Sequence, residues 1–162
     1  MIQFGYKLMS EEHGPRALVA NACRAEDAGF AFAAISDHFH PWLDEQGHSP
    51  FAWSVLGALA HATRHLQLMT AVTCPSFRYH PAIVAQAAAT VAVQSEGRFT
   101  LGLGSGERLN EGVVGGGWPG VALRQEHLEE AIAIIRRLFE GGHQSFHGDH
   151  FDLEDARLFD LP

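Results

Sequence analysis

Four apolar, partly β-branched runs, at Ile2–Tyr6, Phe32–Ser36, Leu66–Val72 and Phe99–Gly104, start 30, 34 and 33 residues apart. This spacing constrains the fold more than any other feature of the chain. Runs of this kind fit strands buried on both faces of a parallel sheet. Each is followed by a helical pattern with its own signals. Gly14–Pro15 opens the first, where proline forfeits no helical hydrogen bond; Leu18, Ala22 and Ala25 share a face and Gly29 ends it. Ser49–Pro50 opens the second, with the serine expected to cap it and Val55, Leu56 and Leu59 pointing inward. Pro81 opens the third, ahead of Ile83, Val84, Ala87, Ala88 and Val91. The fourth is predicted from about Arg124 to Glu140, with Leu128, Ala131, Ile132, Ile135 and Phe139 as its apolar stripe. Its acids come early and its arginines late, as the helix dipole prefers. Ser145–Leu153 then reads as a hairpin turning through Gly148–Asp149.

A period near 33 also matches ankyrin repeats, but those lack a full strand in each repeat. Four βα units in one domain, residues 1–162, are therefore expected, as a doubly wound sheet or as part of a barrel. Period alone leaves those two open. A hydrophobic fraction of 46% and a charged fraction of 19% belong to a globular chain. The net charge of −8 opposes nucleic-acid partners and anionic membrane surfaces. No apolar run approaches the ~18–20 residues of a membrane span, and Met1–Ser10 has no signal-peptide pattern. A soluble cytoplasmic protein is expected. Cys23 and Cys74 make no disulfide framework.

In parallel βα folds, functional groups collect beyond the carboxyl ends of the strands. Strand 2 runs into Ser36-Asp37-His38-Phe39-His40-Pro41-Trp42, strand 3 into Thr73-Cys74-Pro75-Ser76-Phe77-Arg78-Tyr79, and strand 4 into Gly104-Ser105-Gly106-Glu107-Arg108-Leu109-Asn110-Glu111. Asp37-His38 pairs a carboxylate with an imidazole that would serve as a general base, or else as a histidine bonded to a loop carbonyl. His38-x-His40 has metal-ligand spacing, without a second ligand pair at a matching strand end. His147–His150 reads as a solvated turn. Gly102, Gly104 and Gly106 let backbone approach a ligand, or simply make a flexible turn; they are not the dinucleotide fingerprint. Glu107 reads as a proton donor or a surface acid. Arg78 faces an anion or pairs with a nearby acid. Trp42 and Trp118 wall an aromatic pocket or belong to the core, and glycine-rich Val113–Val121 reads as a mobile loop.

Taken together, SDHFHPW, TCPSFRYHP and GLGSGERLNE closely resemble the coenzyme F420-dependent glucose-6-phosphate dehydrogenase branch of the luciferase-like superfamily, and the resemblance covers essentially the whole chain. It implies an α/β fold of (β/α)₈ TIM-barrel type, present here as a four-unit half-barrel (strands 1–4) plus a C-terminal hairpin. It also implies hydride transfer between a substrate carbinol carbon and a deazaflavin, with FMN the alternative cofactor. By the resemblance His38 is the base taking the hydroxyl proton, Trp42 stands beside the reacting carbon, and Glu107 is the acid that protonates the reduced ring. Asp37, Ser105, Gly106 and Asn110 match cofactor-contacting positions. Ala71–Val72 matches a strand-3 bulge carrying a non-prolyl cis peptide, and Cys74 stands where the dehydrogenase has threonine.

Members of that branch are roughly twice as long, and the lysines and arginine that hold the sugar phosphate belong to the part without a counterpart here. A four-stranded half would expose the edges of strands 1 and 4, and exposed edges invite pairing with another chain. A homodimer closing an eight-stranded barrel is therefore expected. The readings left open are an F420-dependent oxidoreductase, a non-catalytic half-barrel that dimerises, a metal-dependent hydrolase on His38 and His40, and a flavin-dependent luciferase-like monooxygenase.

Overall fold

A computed structural model describes residues 2–162. Its elements run β1 (Gly5–Leu8), α1 (Pro15–Asp27), β2 (Phe32–Ile35), α2 (Ala52–Ala62), β3 (Gln67–Thr70), α3 (Pro81–Gln94), β4 (Phe99–Thr100), α4 (Arg108–Glu111), α5 (Val121–Phe139), β5 (Gln144–His147) and β6 (Asp152–Ala156). The first four strands form one parallel sheet in the order β1-β2-β3-β4, with Gly5 opposite Phe32, Phe32 opposite Gln67 and Leu68 opposite Phe99. The strand–helix alternation expected from the 33-residue period is therefore present, with the final hairpin as a separate antiparallel pair. The chain packs as two compact units.

The first unit runs through Thr73 and includes Gln94–Leu103, and so contains the whole parallel sheet. Its core is branched and aliphatic: Leu8, Leu18, Ile35, Leu56, Leu59, Leu66 and Leu68 are all buried. Two charged side chains hold its turns by long-range hydrogen bonds. Glu26, at the end of α1, accepts from the backbone N–H groups of Arg64, His65 and Leu66, which aims the chain into β3. Arg98, just before β4, donates to the carbonyls of Ala60, Thr63 and Leu66 and to Thr63 Oγ1. A guanidinium thus meets the carbonyl end of α2, where the helix leaves acceptors unpaired.

Two expectations change here. β1 begins at Gly5, because its ladder is fixed by its neighbour in the sheet, β2, and Ile2 and Phe4 are exposed. Ser49 does not cap α2: the helix starts at Ala52 without a side-chain cap. The Ser49 hydroxyl instead donates to the His38 carbonyl at 2.8 Å.

The second unit comprises Cys74–Val93 and Gly104–Pro162. The α5 stripe centres on Ala131, Ile134, Ile135 and Leu138. Glu130 on the same helix accepts from the N–H groups of Asp149, His150 and Phe151, so one carboxylate organises the β5–β6 turn. His150 is accordingly not a solvated turn residue: its ring lies 4.2 Å from that of His127. The short helix α4, too brief to show periodicity, starts directly after Glu107.

Candidate functional site

In the first unit, the residues following β1, β2 and β3 carry the chemistry. Glu11 lies three positions beyond β1 and is buried to 1% exposure. Its carboxylate stands 2.7 Å from His38 Nδ1. Burial works against a charge there. The close contact with His38, Glu11's own backbone N–H and the nearby charges of His38 and Lys7 outweigh it, and hold the carboxyl at about 2 rather than 4.5. Lys7 donates to Ser36 Oγ, and Ser10 Oγ bonds the Ser36 carbonyl, so the β1 and β2 ends are tied together. Burial lowers the Lys7 pKa, while Glu11 pulls it back up.

An ionised carboxylate 2.7 Å from Nδ1, close enough for an ion pair though not aligned as a formed hydrogen bond, favours the tautomer protonated at Nδ1 and leaves Nε2 to accept a proton, the arrangement that orients a general base. The Trp42 ring meets the imidazole edge-on at 5.1 Å and keeps 55% of its surface exposed. Of the residues singled out in the sequence, His38 and Trp42 are therefore brought together. Asp37 is buried, and its Oδ2 accepts from Thr73 Oγ1 at 2.9 Å. That bond joins the end of β2 to the segment after β3. The Ala71–Val72 peptide is cis, and Val72 presents an exposed apolar side chain. Gly102 is required by close packing, since a Cβ there would run into the Thr70 carbonyl.

The second unit holds the other candidates. Cys74 is buried, and burial, helped by the Glu111 charge, pushes its thiol up to about 12. It is a neutral thiol rather than a nucleophile. Gly106 sits at φ 74°, and a Cβ on it would lie 2.7 Å from Cys74 Sγ and from Glu111 Cγ. Glu107 is the residue preceding α4, half-buried, with Oε1 accepting from Asn110 Nδ2. Asn110 itself is buried. Ser105 Oγ accepts from Gln125 Nε2 at 3.4 Å. Arg78 forms a buried ion pair with Glu111, Nε to Oε2 at 3.1 Å, which settles its role as pairing with an acid. For the metal reading, no group of three or more His, Cys, Asp or Glu side chains suited to a metal ion occurs among the described residues, and His40 is exposed.

Glu11 escaped the sequence reading. Placing strand 1 at Ile2–Tyr6 left Ser10-Glu11-Glu12 too far downstream to count as a strand end. The usable signal was that an acid follows β1 closely once the strand is set at Gly5–Leu8.

The luciferase-like monooxygenase family profile matches residues 1–162. The F420-dependent glucose-6-phosphate dehydrogenase of Amycolatopsis mediterranei is 45% identical over 163 residues, covering 100% of this chain and 49% of that protein. The protein of the same name from Intrasporangium calvum is 44% identical over 165 residues, again 100% of this chain and 49% of its own length. Among solved structures, an F420-dependent secondary alcohol dehydrogenase in complex with an F420-acetone adduct matches with a TM-score of 0.95 at 40% identity, over 99% of this chain and 49% of that one. The coenzyme F420-dependent tetrahydromethanopterin reductase from Methanopyrus kandleri shares the fold, with a TM-score of 0.83 at 24% identity over 99% of this chain and 46% of its own. The chain spans about half the length of the curated relatives it matches.

Proposed function

Because the chain belongs to the luciferase-like monooxygenase family, whose fold is a TIM barrel, we propose that it carries the proton-accepting part of an F420-dependent oxidoreductase acting on the carbinol of an alcohol or sugar phosphate. The observation that carries this reading is the buried Glu11 carboxylate 2.7 Å from His38 Nδ1, beside an exposed tryptophan. The names of the relatives support it: they are F420-dependent dehydrogenases of glucose 6-phosphate and of secondary alcohols.

The residues fit a planar, largely apolar cofactor. Val72 and Trp42 present exposed apolar surface in the first unit. In the second, Gly106 keeps backbone bare beside a neutral Cys74 thiol. Ala71, Val72, Asp37, Cys74, Ser105, Gly106 and Asn110 are proposed to hold coenzyme F420, which when bound supplies a hydride acceptor. His38 then takes the substrate hydroxyl proton at Nε2, and Glu11 stabilises the imidazolium so formed. Trp42 limits the water reaching that proton. Glu107, its carboxylate oriented by Asn110, is proposed as a second proton-exchanging group. FMN remains the alternative cofactor, as in a luciferase-like monooxygenase. The β1 and β4 edges of the sheet are proposed to pair with another copy of the chain, and a cytoplasmic location belongs to the same proposal.

The test is a fluorescence titration of the 162-residue chain with F420, followed by the loss of its visible absorbance on adding secondary alcohols or glucose 6-phosphate. Saturable binding, with reduction abolished by His38→Ala, supports the reading. Failure to bind F420 at about 0.5 mM removes it for this chain. Sedimentation of the same sample as a monomer at micromolar concentration would remove the edge pairing.

A further inference from the structure

A cavity of about 570 Å³ lies within the second unit, between the segment around Ser76–Phe77 and the glycine-rich loop ahead of α5. That volume is in the range of small-molecule sites, which combine apolar walls with a few placed polar groups. Here the walls are aromatic. The Phe77 ring lies 5.3 Å from Trp118 and is stacked on His127, also at 5.3 Å and with 20° between the planes. Trp118 is held in place: the Arg124 guanidinium sits 4.7 Å over its ring, and Arg124 Nη1 donates to the Pro119 carbonyl at 2.8 Å. Leu123 adds aliphatic surface. Gly115, Gly116 and Gly117 all have φ between 82° and 84°, which L side chains rarely adopt, so this wall stays bare backbone.

Two polar atoms on the lining are left over. Ser76 is 7% exposed, and its Oγ, beside the weakly bonding Cys74 thiol, makes no formed hydrogen bond. His127 Nδ1 is also buried without a well-formed hydrogen bond, its ring lying against the Ser76 backbone. Burial, reinforced by His150, lowers the His127 pKa and keeps the ring neutral. Buried polar groups are normally paired, and a ligand that pairs them recovers what their desolvation costs. No lining residue is acidic and none is a lysine or arginine; Arg124, with a buried Nε that makes no hydrogen bond, lies against Trp118 and does not line the cavity.

We infer that this cavity is a binding site for an uncharged single-ring aromatic alcohol, its ring against Phe77 and Trp118 and its hydroxyl bonded to Ser76 Oγ and His127 Nδ1. No residue given a role in the F420 proposal lines the cavity, although Ser76 adjoins the Cys74 thiol. A site built to bond a hydroxyl discriminates against the analogue that lacks one. The protein labelled with 5-fluorotryptophan gives three fluorine signals, from Trp42, Trp53 and Trp118, and Trp118→Phe assigns the third. Titration with 4-methylphenol is expected to shift the Trp118 signal saturably, with toluene binding about tenfold more weakly. Ser76→Ala is expected to narrow that preference to about threefold, while unmoved Trp42 and Trp53 signals report an intact fold. A Trp118 signal that stays still up to the solubility of 4-methylphenol overturns the inference. So does an equal response to toluene, or a preference that Ser76→Ala leaves unchanged.

Discussion

Glu11 and Glu111 are equally hidden, at 1% and 3% exposure, yet the two units use them in opposite ways. Glu111 is held by Arg78, whose guanidinium stays charged at every working pH, so the pair is permanent and the acid contributes packing and register. Glu11 is held by His38, whose imidazole can exchange a proton where a guanidinium cannot. The same cost of burying a carboxylate therefore secures a scaffold in one place and, on the proposed function, a proton acceptor in the other. Burial alone identifies neither; the partner decides.

The largest expected effect comes from breaking the permanent pair. Arg78→Ala leaves Glu111 buried without its countercharge and should cost about 3–5 kcal/mol in urea unfolding. A loss below 1 kcal/mol would mean that Glu111 is relieved by water and that the contrast is overstated. Next comes the pH dependence of the other acid. The Glu11 carboxyl is held at about 2, below its ordinary 4.5, so its stabilisation is fully present above pH 4.5 and is lost as pH falls toward 2. Between those limits the wild type should lose on the order of 2–3 kcal/mol more than Glu11→Gln. Acid unfolding followed by circular dichroism measures the difference, and parallel curves would contradict the pairing.

Smaller effects sharpen the neighbourhoods. Gly106→Ala adds a Cβ at positive φ against Cys74 and Glu111. It should destabilise by about 1–2 kcal/mol, and the added Cys74→Ala change should return part of this. Ser49→Ala removes the bond to the His38 carbonyl and should cost about 1 kcal/mol. Its effect should fall on turnover more than on cofactor binding, if the reading of His38 as base holds.

How far the sequence reached follows from the range of the interactions. Strand and helix order were legible because hydrophobic periodicity is local, and Pro81 and Gly14–Pro15 mark helix starts that the structure keeps. His38 and Trp42 were legible because they follow a strand within a few residues. Glu11 was not, because the start of β1 depends on pairing with β2, 27 residues away, from Gly5 to Phe32. The same holds for Glu26 and Arg98, whose partners lie 32 to 40 residues off. Ser49 carried a capping signal that a contact 11 residues back overrode. The role of Arg78 was an even choice until Glu111 was seen against it.

The central claim is that Glu11 sets His38 as a proton acceptor through Nε2. Nitrogen-15 chemical shifts of the His38 ring, recorded above the imidazole pKa so that the ring is neutral, test it most directly. The account predicts a protonated Nδ1 and an unprotonated Nε2. A ring protonated at Nε2 instead would show that Glu11 does not hold it, and the assignment of His38 as base would fall.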